Sequence, residues 1–140
     1  MLSLEPLLTA HLEALAGFKG VHGLPELVAA EMASRPSPCI YVIYDGYRPL
    51  ESTTRGKAAR VETRWLVVLS VKNASKTADG APARFATSPL CHAVLGHLLG
   101  WQAAPEFKPL SLAPAPRPDF AAGVLLFPLA FTTEHVVKAD

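Results

Sequence analysis

Histidines, cysteines, carboxylates and basic side chains are the groups in this sequence that could do chemistry, and their spacing decides what chemistry. The five histidines are His11, His22, His92, His97 and His135. His92 and His97 fall five positions apart on one expected helix, about 140° around its axis. A zinc-binding pair on a helix prefers the i, i+4 spacing of HExxH, and that motif is absent. Each histidine is therefore read as structural or surface. The two cysteines, Cys39 and Cys91, form no CxxC motif and make no zinc site by themselves. They read as reduced thiols, with a disulfide or a catalytic thiol as the alternatives. Cys91 precedes His92, but consecutive residues on a helix point apart, so a Cys–His dyad would need Cys39 or a distant histidine. No nucleophile-elbow, phosphate-loop or dinucleotide-binding glycine motif occurs. The carboxylates are scattered, with no pair spaced for acid–base work. The reading is a protein without catalytic residues, metal or cofactor.

One stretch concentrates charge. In YRPLESTTRGKAARVETR, residues 47–64, Arg48, Arg55, Lys57, Arg60 and Arg64 stand against Glu51 and Glu62. Read as a loop between two strands, it is a solvated tip, a mobile basic arm that orders on an acidic partner, or a nucleic-acid contact. Its only aromatic neighbours are Tyr44, Tyr47 and Trp65, which is thin for a base-stacking platform. The whole-chain net charge of +1 gives no pull toward nucleic acid or an anionic membrane. The five cations are the candidate partner-interface residues. Gly56, Ala58 and Ala59 leave little apolar surface to bury, so residues 48–60 are expected to be flexible.

The elements that must hold these groups come from 140 residues, enough for one domain, 1–140, with a sizeable core. Hydrophobic residues make up 50% and charged residues 18%, so some apolar surface is expected to meet partners. No apolar run reaches the roughly 18 residues of a membrane span. The N-terminal stretch carries Glu5 and Glu13 inside its apolar pattern and no basic lead. It reads as an amphipathic helix rather than a signal peptide, which places the chain in the cytoplasm. Ser3 is expected to cap that helix, which runs to about Phe18 on a stripe of Leu4, Leu8, Leu12 and Leu15. LPELVAAEMAS, 24–34, reads as a second short helix. Residues 39–47 read as a strand covered on both faces. Residues 61–71 read as a strand whose odd positions Val61, Trp65, Val67, Leu69 and Val71, interrupted by Thr63, form one apolar face. Ser88 as cap and Pro89 as first residue predict a helix that Gly100 stops, with Trp101 folded back over its last turn. The prolines of 105–118 predict an extended crossover poor in hydrogen bonds. Residues 123–133 read as the last strand, where Pro128 implies an edge position or a bulge. The fold class is α+β: a small, mostly antiparallel β-sheet with helices packed on it.

An N-terminal helix, PCIYVIYDGY, a long basic loop entering RWLVVLSV, then LLGWQ, a proline-rich stretch with PLSL, and GVLLFPLAFTT follow one another in that order. This order resembles the tail terminator proteins of Mu-like and related tailed phages and prophages, from about Leu4 to Thr133. The resemblance implies a structural protein of the virion tail, assembled in the host bacterial cytoplasm. It implies a homo-oligomeric ring, usually a hexamer, that caps the head-proximal end of the tail tube and stops its polymerisation. The implied partners are the tail tube protein and the head–tail connector protein. No cofactor, no membrane and no main role in nucleic-acid binding are implied. Another phage neck or tail protein, or a small cytoplasmic enzyme, is the alternative. The Pro/Ala-rich stretch 103–118 either packs on its own subunit or reaches a neighbour.

Overall fold

The strand read at 61–71 runs longer at both ends and becomes the spine of the sheet. In the computed structural model, which describes residues 2–23, 35–72, 81–121 and 123–140, the elements follow in order. They are α1 (Leu4–Glu13), β1 (Val21–Gly23), β2 (Cys39–Ser52), β3 (Ala58–Lys72), α2 (Ala81–Leu98), β4 (Ser111–Ala113), β5 (Asp119–Ala121) and β6 (Val124–Lys138). The sheet order is β1-β2-β3-β6-β4, with β5 also on β6. Among the described residues only the pairing of β1 with β2 is parallel, so the fold is α+β with a mixed, mostly antiparallel sheet. The helix expected at 24–34 lies outside the described residues.

Alternation along β3 gives the sheet two unlike faces. Val61, Thr63, Trp65, Val67, Leu69 and Val71 are all buried, at 5% exposure or less. Most of this row packs against Leu4, Leu8 and Leu12 of α1, Val94 and Leu98 of α2, and Phe107 and Leu110 of the crossover. Thr63 is tolerated there because its hydroxyl accepts a hydrogen bond from Trp65 Nε1, at 3.3 Å. On the other face Val68 joins Cys39 and Tyr41 in a smaller cluster, with Ile43, Leu66 and Leu126 packed on it. β2, β3 and β6 hold 14, 15 and 15 residues, a length of about 50 Å. α1, at 10 residues, spans only about 15 Å. Half of the sheet therefore outruns this helix as an arm, whose buried face is covered from the crossover, where Phe107 packs on His135 opposite Val61.

The helix ends differ from the sequence reading. Ser3 is itself helical, with φ −63° and ψ −16°, and makes no capping bond; α1 stops at Glu13. Three leucines at i, i+4 spacing complete the buried row, and the chain turns through Gly17 (φ +102°) into β1. Leu15 and Phe18 still pack on the core, from the turn rather than from the helix. α2 begins at Ala81, so Pro89 lies inside it and Ser88 is no cap. Proline there deletes one backbone bond of the helix, but Thr87, two residues earlier and buried, gives this part of the helix a packing role. Gly100 stops the helix as expected, at φ +77°.

Past that glycine three rings stack. His11 lies 3.9 Å from His97 at 11° and 4.1 Å from Trp101 at 4°. His11 Nε2–H donates to the His97 carbonyl at 3.0 Å, and His97 Nε2–H donates back to the His11 carbonyl at 2.7 Å. Since a carbonyl only accepts, both imidazoles carry a proton on Nε2. This reciprocal pair ties α1 to the end of α2, and Trp101 closes it.

The proline-rich crossover is extended but not poor in hydrogen bonds. β4 and β5 both zip onto the outer side of β6, Ser111 opposite Thr132 and Asp119 opposite Leu126. β6 is thus interior. Pro128, opposite Val68 of β3, falls between the β4-paired and β5-paired stretches, so its missing N–H faces a locally unpaired edge.

Val67→Asp should abolish cooperative unfolding, because an unpaired carboxylate on this buried row costs several kcal/mol; a wild-type melt by circular dichroism contradicts the placement. Trp101→Ala should cost about 2–3 kcal/mol, below the value for a fully buried tryptophan, since the ring is half-buried.

Candidate partner interface

The projecting arm carries the charges singled out in the sequence, but not as a loop. β2 continues to Ser52 and β3 begins at Ala58, leaving 53–57 as the turn. Thr53 N–H donates to the Ala58 carbonyl and Gly56 N–H to the Thr53 carbonyl, both at 2.9 Å, with Gly56 at φ +68°. The flexible loop expected over 48–60 is corrected to an ordered hairpin. Its register explains why small residues did not loosen it: Arg48 stands opposite Glu62 and Glu51 opposite Arg60, so long side chains meet across the strands.

Three of the five candidate cations are neutralised in this way. Arg48 pairs with Glu62 at 3.4 Å and Arg64 with Asp45 at 2.7 Å. Arg60 reaches Glu51 at 3.4 Å and also Glu134 of β6, whose hydrogen bond raises the guanidinium pKa further. Lys108 of the crossover approaches the same Glu134 at 3.9 Å. Exposed pairs like these are individually weak, but together they set carboxylates between the cations and cancel the basic character of the face. They also answer where 103–118 goes. Lys108 N–H donates to the Glu134 carbonyl at 3.0 Å, and Arg64 donates to the Pro114 carbonyl, so the segment packs on its own subunit.

Arg55 and Lys57 remain, exposed on the turn and, among the described residues, without an ion pair. The structure adds Lys138, opposite Ala58 at the end of β6, where Ala139 N–H donates to the Lys57 carbonyl at 2.7 Å. Beside it Val136 and Val137 are 53% and 40% exposed. The sequence reading missed these three residues because it ended the last strand at Thr133. The two β-branched valines of HVVK, Val136 and Val137, were the available signal.

His135 sits just behind the tip. Its ring meets Phe107 edge-on at 5.3 Å, and both ring nitrogens are buried without a hydrogen bond. Burial pushes its pKa down. Both cysteines are free; burial pushes both thiols up, which makes them poor nucleophiles. Among the described residues no group of histidine, cysteine or carboxylate side chains could hold a metal ion, and no helix is long and apolar enough to cross a membrane.

What this geometry offers is a contact surface: a stiff arm, internally neutral, with cations and valines free at its tip. A family model for phage tail terminator protein matches residues 1–140, the whole chain. The chain belongs to the phage tail terminator family. Comparison with curated proteins gives no match. Membership makes the chain a structural component of the phage tail, which meets other tail or head proteins.

His135 yields a pH test. Its folded-state pKa lies below the unfolded value of about 6.5. As pH falls through the unfolded value the unfolded chain takes up the proton first, so stability is lost below about 6.5 and unaffected above it. His135→Phe should match or exceed the wild-type melting temperature at pH 7.5. Its advantage should widen toward pH 5; parallel pH profiles contradict the burial.

Proposed function

We propose that the protein caps the head-proximal end of a tail tube as a homo-oligomeric ring, a hexamer of single-domain subunits assembled in the host bacterial cytoplasm. The ring stops tube polymerisation and presents the surface on which the head–tail connector docks. The observation that carries this reading is the family match across all 140 residues. The arm supports it. Termination requires no turnover and no cofactor, only a subunit that fits a growing end and offers no further growth surface. A closed ring also needs two unlike patches per subunit. The cationic tip is one such patch. Exposed apolar side chains elsewhere, Leu2, Leu7 and Phe85, supply material for others. A contact that is weak in one subunit becomes strong when a ring repeats it, because the later contacts form at high effective concentration.

The direct experiment assembles tails with and without the protein. With it, electron micrographs should show tubes of defined length bearing a disc at the head-proximal end. Without it, tubes should be over-long or fail to join heads; unchanged tubes contradict the reading. Arg55→Glu with Lys57→Glu should leave melting unchanged and reduce docking to tubes, and wild-type docking should weaken with salt. Arg60→Glu is a poorer probe, since it also breaks the pairs with Glu51 and Glu134.

A further inference from the structure

We infer that the arm tip of one copy docks on α1 of the next copy, a head-to-tail contact that rests on the ring reading above and names the partner of the tip. The tip holds Arg55, Lys57 and Lys138, with the acid Asp140 two positions after Lys138, and among the described residues none of the four has an ion pair. Helix α1 has the opposite character. It carries Glu5 and Glu13, also without ion pairs, and no lysine or arginine along its length; Lys19 follows six positions after Glu13. Its two acids stand about 12 Å apart along the axis. Each surface also has an exposed apolar side chain: Val136, on the same sheet face as Lys138 at the tip, and Leu2, just before α1. The two patches are thus complementary in charge, each with one exposed apolar side chain beside it.

The patches cannot meet within one copy. α1 leads into β1, which is registered on Ile40, Tyr41 and Val42, and the turn at Thr53 lies roughly 36 Å further along β2. Nor does the tip suit a two-fold contact with itself, where like charges would face each other. An unlike pair of surfaces generates a ring if the rotation closes and a filament if it does not. Arg48, Arg60 and Arg64 take no part, because their charges are already matched inside the subunit.

The test uses two full-length variants and sedimentation velocity. One reverses the tip: Arg55→Glu, Lys57→Glu and Lys138→Glu. The other reverses the helix: Glu5→Lys and Glu13→Lys. Arg55, Lys57, Lys138 and Glu13 are exposed and Glu5 is partly buried, so the tip variant should melt like wild type and the helix variant close to it. Glu5 also sits at the positive end of the helix dipole; if the second variant melts early, Glu13→Lys alone replaces it. Wild type should self-associate in a salt-sensitive way, and each variant alone should sediment as a monomer. An equimolar mixture should regain association, since each reversed tip then meets a reversed helix. A monomeric wild type, a tip variant that still associates, or a mixture that stays monomeric overturns the contact. A tip variant that associates but no longer terminates tubes assigns the tip to the tube end instead. If tubes terminate normally without the protein, the ring reading fails, whatever the mixture does.

Discussion

The structure depends on a single strand that is buried on one face along nearly its whole length. β3 offers Val61, Thr63, Trp65, Val67, Leu69 and Val71 to one side, and every other element is placed by that row. A one-residue slip against β2 or β6 would send these six side chains to the opposite face, so the register is strongly fixed. Because β3 pairs with β2 and β6 over some 15 residues, the sheet is longer than α1 can cover. The excess length is the arm, and the arm is what distinguishes this subunit from a plain helix-on-sheet sandwich.

The arm stays ordered by a different means from the core. Near the helices the strands are held by apolar packing; beyond Tyr44 and Trp65 they are held by cross-strand pairs and by the crossover. Arg60 and Lys108 share Glu134, and Arg64 spans from Asp45 to the Pro114 carbonyl. The proline-rich crossover is a brace: it loses little entropy on ordering, and its two short strands cover β6 on the side away from β3. The consequence is a division of charge. The flank of the arm is neutral and committed to holding shape, while Arg55, Lys57 and Lys138 at the tip form no ion pair among the described residues.

Much of this was legible in the sequence where one period or one residue type decides the structure. The alternation of VETRWLVVLSV located β3 and its buried face, and Gly100 located the end of α2. Periodicity says nothing about where a strand stops once it becomes polar. The arm therefore read as a loop, and HVVK was left off the last strand. Pro89 misled by the reverse route: proline favours a first turn, yet tertiary packing around Thr87 carries the helix past it. β1, three residues that follow Gly20 and end on Gly23, has no pattern of its own and pairs along the edge that β2 offers. The cations were visible from the start. Which of them were free was not, because neutralisation depends on register: Arg48, Arg60 and Arg64 meet acids only once β2, β3 and β6 are aligned.

Hydrogen–deuterium exchange, compared between the free chain and assembled tails, tests the central claim that an ordered arm presents a free tip to a partner. The account predicts slow exchange along 45–52 and 58–64 in the free chain as well as in tails, because those amides belong to a sheet. It predicts new protection at 53–57 and 136–139 on assembly alone. Rapid exchange throughout 48–60 in the free chain, or a tip that exchanges equally fast before and after assembly, would contradict it.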